Sequence, residues 1–171
     1  LTDTDVNTII HKVINKIDDY IHTIKPDTYV FIAFDGVAPV AKLEQQRQRR
    51  YKSFYLSQIQ KDIFKHSKPD TWNTAAITPG TVFMTTLNEQ IRLYYNDPNK
   101  YGLKNIILST SDKSGEGEHK IFQFIRDFDA EHSESTTVIY GLDADLIMLS
   151  INHLPICKKI YLYRETPHFI Q

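Results

Sequence analysis

The sequence predicts an α/β fold with three layers, in which helices flank a mostly parallel sheet. Short continuous apolar runs, typical of strands covered on both faces, alternate along the chain with longer amphipathic segments. Acidic residues follow each of the first three apolar runs. Strands that alternate with helices are joined by right-handed crossovers, which make the sheet parallel. At 171 residues the chain is one domain or a large part of one.

The hydrophobic pattern places each element along the chain. Apolar residues at helical spacing indicate helices, and short runs rich in Ile, Val, Phe and Tyr indicate strands. The predicted helices cover residues 6–24, 39–64, 79–94, 116–132 and 143–151, and the predicted strands cover residues 29–34, 105–109, 136–140 and 159–163. Residues 65–76 are mostly polar and are expected to form a loop.

Composition restricts the classes of protein to which the chain can belong. The formal net charge is −1, so any nucleic-acid contact must come from a local cluster of cations. Cys157 is the only cysteine, which excludes an intrachain disulfide and a thiolate metal cage and fits an intracellular protein, cytoplasmic or nuclear. No apolar run approaches the ~20 residues of a membrane helix, so we expect no membrane partner.

Five carboxylates, which we call the acid set, lie just beyond the ends of the predicted strands. They are Asp35 after the first strand, Glu116 and Glu118 after the second, and Asp143 and Asp145 after the third. Ligands of parallel sheets gather at this edge, and carboxylates brought together there repel one another unless cations neutralise them. Their oxygens suit Mg²⁺ or Mn²⁺, and two such ions about 3.5–4 Å apart support phosphodiester hydrolysis. The sequence therefore predicts a site for two Mg²⁺ or Mn²⁺ ions.

Each of these acids also has a purely structural interpretation. Asp35 could be a turn residue, Asp143 could cap its helix, and Glu116 could interact with a helix dipole. His119 lies within the acidic segment but is expected to be packed or solvated, and Asp112 is expected to be solvated surface. The recurrence of acids after three strands favours the metal site.

Four polar side chains, which we call the cationic stripe, share one face of the helix that follows Asp35. They stand at positions i, i+4, i+7 and i+8 and are Lys42, Gln46, Arg49 and Arg50. Arg binds phosphate through two parallel hydrogen bonds and Lys acts as a point charge, so the stripe suits a phosphate beside a metal. The alternative is a solvated helix face. Aromatic residues near the stripe could stack on bases or belong to the core: Tyr51, Phe54, Tyr55 and Trp72.

Four sequence blocks resemble the Xrn-type 5′→3′ exoribonucleases. They are DGVAPVAKLEQQRQRR (Asp35–Arg50), ITPGTVFM (Ile77–Met84), GEGEHKI (Gly115–Ile121) and YGLDADLIML (Tyr140–Leu149). The blocks occur in family order, and a shorter stretch at Arg164 and Glu165 resembles the family more weakly. The resemblance implies a PIN/FLAP-like nuclease fold and a metal-dependent exoribonuclease that releases 5′-mononucleotides in RNA decay.

The resemblance also implies a role for each group of residues. The acid set matches the family's metal-binding and catalytic acids, and the cationic stripe matches its pocket for the 5′-monophosphate of single-stranded RNA. A first strand with its own acid, and a further acid after the last block, are expected outside these 171 residues. The chain is thus expected to be part of a nuclease domain that is inactive or weakly active alone.

Two other functions remain open at this point. The chain could be a catalytically silent RNA-binding module or scaffold that keeps the fold, which metal titration would distinguish. It could also belong to a structure-specific DNA nuclease of the related flap type, which a comparison of RNA and DNA substrates would decide. The sequence blocks favour RNA.

Overall fold

The structure is a computed structural model that describes residues 3–64 and 74–165. The chain divides into two compact units, Leu1–Glu116 and Gly117–Gln171. Residues 65–73 of the loop expected over 65–76, which include the stacking candidate Trp72, lie outside the described residues. None of the described helices is long and apolar enough to span a membrane.

The first unit contains three long helices and two strands. In chain order they are α1 (Asp3–Ile24), β1 (Tyr29–Ala33), α2 (Val40–Phe64), α3 (Val82–Tyr94) and β2 (Asn105–Ser109), with short 3₁₀ turns at Thr74–Ala76 and Pro98–Tyr101. The boundaries follow local signals. Thr81 caps α3 because its hydroxyl accepts a hydrogen bond from the Met84 amide. Lys25 adopts a positive φ directly after α1 and so ends that helix.

The core of the first unit lies between α1, α3 and the strands. Isoleucines of α1 pack against the apolar face of α3, and the fully buried members include Ile10, Ile14, Leu87 and Ile91. Strand β1 pairs with β2 in parallel, from Tyr29 opposite Asn105 to Ala33 opposite Ser109. This parallel register brings the carboxyl ends of both strands to the same edge.

A carboxylate surrounded by tyrosines ties α1 to α3 and to the turn that follows it. Asp18 accepts hydrogen bonds from the hydroxyls of Tyr94 (2.7 Å), Tyr95 (2.8 Å) and Tyr101 (2.6 Å). Burial disfavours its charged form, but these bonds and the charge of Lys100 outweigh burial and hold the pKa of Asp18 below its usual value. Asp18 is therefore ionised and bound at neutral pH.

The second unit contains α4 (Gly117–Asp127), α5 (Asp129–Glu134), β3 (Thr136–Tyr140), α6 (Asp145–Asn152) and β4 (Lys159–Tyr163). Strand β3 pairs with β4 in parallel, from Thr136 opposite Lys159 to Tyr140 opposite Tyr163. This unit has its own core, formed by Phe122, Ile125, Ile139, Leu146 and Cys157. The free thiol of Cys157 is fully buried and so serves as packing.

The α/β class and the order of elements agree with the sequence prediction. The described strands pair as two separate two-stranded parallel sheets, β1 with β2 and β3 with β4, where the sequence predicted one sheet. The helix predicted over residues 116–132 is interrupted at Phe128, whose ψ of 43° is not helical. Phe128 caps the next helix without a side-chain hydrogen bond, and the carboxylate of Asp129, the first residue of that helix, accepts a hydrogen bond from the Ala130 amide.

Candidate metal and phosphate site

The first acid of the set lies just beyond the end of β1. Phe34 extends the pairing with β2, because its amide donates to the Ser109 carbonyl at 2.9 Å, and Asp35 follows as an exposed residue. Gly36 is buried, and a Cβ atom there would overlap the carbonyl oxygen of Lys113. Glycine is therefore required at this position so that the chain after Asp35 can pass close to the loop that follows β2.

Backbone hydrogen bonds bring Asp35 and Glu116 to the same edge of the first unit. The Gly36 amide donates to the Gly115 carbonyl at 2.8 Å, and the Gly115 amide donates to the Val37 carbonyl at 3.0 Å. Gly115 has a φ of 96°, which a residue with a side chain would adopt only with strain. Asp35 directly precedes Gly36 and Glu116 directly follows Gly115, so the bond between these two glycines keeps the backbones of both acids close together.

The cationic stripe meets the acid set at one contact. Nζ of Lys42, on the first turn of α2, lies 2.7 Å from Oε2 of Glu116, whose side chain is only 14% exposed. Gln46 is half-buried, while Arg49 and Arg50 are exposed to solvent. The ion pair compensates the partly buried carboxylate and fixes the start of the stripe beside it.

Three neighbouring side chains at the start of α4 could hold a metal ion. Glu116, Glu118 and His119 each offer a ligand atom, and these atoms lie within 4.8 Å of one another. The two glutamates are half-buried, whereas His119 is exposed and its Nε2 lies 4.0 Å from Glu118. The carboxylate oxygens fit Mg²⁺ or Mn²⁺, and an imidazole nitrogen is a better ligand for Mn²⁺ than for Mg²⁺. The sequence predicts that His119 is packed or solvated, and the structure exposes it beside the two glutamates; its place in the acidic block was the signal that it could be a ligand.

The remaining two acids lie at the carboxyl end of β3 in the second unit. Asp143 and Asp145 are both exposed, and the Asp145 amide donates to Oδ1 of Asp143 at 3.1 Å. The cap residue of α6 is Ala144, which makes no side-chain cap, so the alternative that Asp143 caps this helix is wrong; its Oδ1 accepts the Asp145 amide in a turn just before the helix. The guanidinium of Arg164 donates to the Leu142 carbonyl, next to Asp143. Arg164 was the weakest part of the sequence resemblance, and it contacts the segment that carries these acids.

The three described aromatic candidates on α2 are surface residues. Tyr51, Phe54 and Tyr55 are 59%, 58% and 62% exposed, and the rings of Phe54 and Tyr55 meet edge to face. The alternative that they belong to the core of the described residues is therefore wrong. Whether they stack on bases stays a prediction.

Two residues of α3 that the sequence pattern does not single out contact the loop that leads to Glu116. Asn88 is buried and hydrogen-bonds Ser111, and Arg92 binds Thr110 and Asp112. Asp112 lies at the surface as expected, but its carboxylate pairs with Arg92. The only sequence signal was an amide within the apolar periodicity of α3.

The sequence is similar to one family of known proteins along nearly its whole length. Residues 1–166 match the family model described as "XRN 5'-3' exonuclease N-terminus". The chain is 40% identical to 5'-3' exoribonuclease 2 of Aspergillus oryzae over 91% of this chain and 18% of the relative. It is 36% identical to 5'-3' exoribonuclease 1 of Saccharomyces cerevisiae, over 84% of this chain and 10% of the relative. It is 38% identical to 5'-3' exoribonuclease 1 of Homo sapiens, over 86% of this chain and 11% of the relative.

The match covers most of this chain and a small part of each relative. The chain spans less than a fifth of the length of these three proteins. Because the family model covers nearly all of the sequence, the chain belongs to the XRN 5'-3' exonuclease family and corresponds to its N-terminal region.

Proposed function

We propose that this chain supplies part of the active site of a metal-dependent 5′→3′ exoribonuclease acting on single-stranded RNA with a 5′-monophosphate. The observation that carries the proposal is the 2.7 Å contact between Lys42 and Glu116. It joins the start of the cationic stripe to a member of the acid set, so a phosphate held by one would lie next to an ion held by the other. The relatives are named 5'-3' exoribonucleases, which supports the direction and the substrate.

The acid set would hold the divalent ions. Asp35 and Glu116 lie at the edge of the first unit, Glu118 at the start of α4, and Asp143 and Asp145 after β3. We propose that all five carboxylates converge on two Mg²⁺ or Mn²⁺ ions, which when bound would supply an activated water and stabilise the leaving oxygen. Oxygen ligands and partly exposed positions suit ions that keep several waters.

The cationic stripe would recognise the RNA end. Lys42, Arg49 and Arg50 would neutralise the terminal phosphate, and Gln46 would donate a further hydrogen bond. Because Lys42 already pairs with Glu116, a metal ion at Glu116 would release the ammonium group toward the phosphate. A pocket sized for one phosphate excludes a cap or a triphosphate, so the enzyme would act on decapped or cleaved RNA.

Removal of one acid of the second unit tests the catalytic role of the acid set. In the complete protein, Asp143→Ala should abolish release of mononucleotides from 5′-phosphorylated RNA while RNA binding persists, because a metal ligand is lost and the cations remain. Glu131→Ala, which removes an exposed acid of α5 in the same unit, is the matched control and should cleave normally. Undiminished cleavage by Asp143→Ala would reject the metal site.

A wild-type protein that binds RNA but cleaves it with neither Mg²⁺ nor Mn²⁺ would instead favour a silent scaffold. Faster cleavage of flapped DNA than of RNA would favour the structure-specific DNA nuclease.

A further inference from the structure

A polar network in the first unit joins α3 to the loop that leads to Glu116. Asn88 is 5% exposed, on the same face of α3 as Leu87 and Ile91. Its amide group donates to Oγ of Ser111 at 2.9 Å, and its Oδ1 accepts from the Ser111 amide at 3.3 Å. An amide on an apolar helix face is unfavourable unless its hydrogen bonds are made, and both of these bonds go to Ser111.

Arg92 extends the network one turn further along α3. One nitrogen of its guanidinium donates to Oγ1 of Thr110 at 2.6 Å and to Oδ2 of Asp112 at 2.8 Å. Thr110 and Ser111 are 1% and 2% exposed, so this stretch of the loop is fixed inside the unit. The Arg92–Asp112 pair itself is about half exposed, and exposed ion pairs contribute little to stability. The network thus determines the position of the loop more than it strengthens the fold.

From this anchored stretch the loop runs directly to the acids. The Lys113 amide donates to the Thr110 carbonyl at 3.1 Å, and the Lys113 carbonyl lies against Gly36 without room for a Cβ atom. Gly115 then exchanges hydrogen bonds with Gly36 and Val37, and Glu116 follows. A shift of Thr110 or Ser111 would therefore be passed on to the backbone of both Asp35 and Glu116.

We infer that Asn88 and Arg92 are positioning residues that set where the Asp35 and Glu116 carboxylates stand, by holding residues 110–112 on α3. They would touch neither the ions nor the RNA. The inference rests on the proposed function, because the carboxylates must bind metal for their position to matter. Residues that orient metal ligands typically change metal affinity or activity ~10–100-fold when they are replaced.

The test is Asn88→Leu in the complete protein, with Arg92→Leu as a second variant and Arg92→Lys as its conservative partner. Leucine is apolar and close in size to asparagine, so it removes the bonds to Ser111 without opening a cavity. Two quantities are measured. One is Mn²⁺ affinity without RNA, by electron paramagnetic resonance, and the other is hydrogen exchange of peptides that contain the Gly36 and Gly115 amides.

We expect Asn88→Leu to weaken Mn²⁺ binding ~10-fold, at the lower end of the usual range for such residues, and to speed exchange at Gly36 and Gly115. Arg92→Leu should do the same, and Arg92→Lys should restore part of the affinity because it keeps a donor. The control is Asp18→Asn, which breaks the tyrosine network of α1 and α3 away from the loop. It should lower the melting temperature and leave Mn²⁺ affinity unchanged, which separates positioning from stability.

Unchanged Mn²⁺ affinity in both leucine variants, or unchanged exchange at Gly36 and Gly115, would overturn the inference and leave the proposed function intact. A loss of affinity equal to that in Asp18→Asn would also overturn it, because a general loss of stability would then explain both. A wild-type protein that binds no Mn²⁺ would overturn the proposed function itself, and the inference with it.

Discussion

The helices α1 and α2 have similar lengths, 22 and 25 residues, but among their described side chains only those of α1 form a buried face. Ile10, Ile14 and Ile21 of α1 are at most 7% exposed and pack against α3. Among the described side chains of α2 none is buried, and Tyr55 is 62% exposed. A helix that packs into a core must repeat apolar residues on one face, whereas α2 can carry cations and amides instead. Helix α1 therefore stabilises the unit, whereas α2 exposes Arg49 and Arg50 to solvent.

The largest effect should come from a cavity under α1. Ile14→Ala removes a side chain that is 3% exposed, and it should lower the free energy of unfolding by about 2–5 kcal/mol, measured by urea denaturation. Affinity for 5′-phosphorylated RNA should be unchanged in the fraction that remains folded. Altered RNA recognition in the folded fraction would contradict the division of roles between the two helices.

The converse prediction concerns the exposed cations of α2. Arg49→Ala with Arg50→Ala should weaken binding of 5′-phosphorylated RNA ~10–100-fold and remove the preference over 5′-hydroxyl RNA, because charge-assisted hydrogen bonds to the phosphate are lost. Competition binding with the two RNA ends measures this.

Lys12→Ala is the matched control for the arginine variants. Lys12 is also an exposed cation of the first unit, but it lies on α1 and not on α2. It should leave the preference for the 5′-phosphate intact. An equal loss in both variants would mean that α2 acts through general charge and has no specific pocket.

A smaller effect with a defined pH dependence should appear at Asp18 on α1. The pKa of Asp18 is lower in the folded state than in the unfolded state, where it is 3.8. The carboxylate therefore stabilises the fold fully above pH 3.8, and this stabilisation is lost as the pH falls through the folded-state pKa. Asp18→Asn should cost about 1–3 kcal/mol at pH 7 and progressively less as the pH falls below the unfolded value of 3.8, measured by denaturation at a series of pH values. A cost that does not depend on pH would show that the carboxylate charge is not what the tyrosines bind.

The smallest change should come from an aromatic residue of α2. Tyr55→Ala should alter the free energy of unfolding by less than about 0.5 kcal/mol, because the side chain is exposed and surface substitutions rarely cost more. Tyr95→Ala is the matched variant at the C-terminal cap of α3, where the tyrosine is 2% exposed, and it should be strongly destabilising. A cost for Tyr55→Ala similar to that of Tyr95→Ala would show that α2 is packed in solution.

Local features of the fold could be read from the sequence, because they depend on neighbouring residues. Runs such as Asn105–Ser109 and Lys159–Tyr163 are short, apolar and bounded by polar residues, and both are strands. Helix α2 begins next to Pro39, where the sequence placed it. Strand pairing depends on contacts between distant segments, so the division into two sheets could not be read in this way.

The same distinction applies to the candidate site. The edge shared by Asp35 and Glu116 follows from parallel strands, and it was predicted. The contact of Lys42 with Glu116 and the bonds from Asn88 to Ser111 join residues far apart in the chain, and no periodicity encodes them. The helix break at Phe128 is a departure of one residue from helical ψ, which the apolar spacing of this segment does not signal.

The proposed convergence of the acid set on shared ions is tested most directly by crystals of the complete protein soaked in Mn²⁺. An anomalous difference map should show Mn²⁺ within about 2.0–2.4 Å of carboxylate oxygens from Asp35 or Glu116 and also from Asp143 or Asp145. With a 5′-phosphorylated RNA bound, the terminal phosphate should contact Arg49 or Arg50. The absence of any Mn²⁺ shared between these acids would contradict the account.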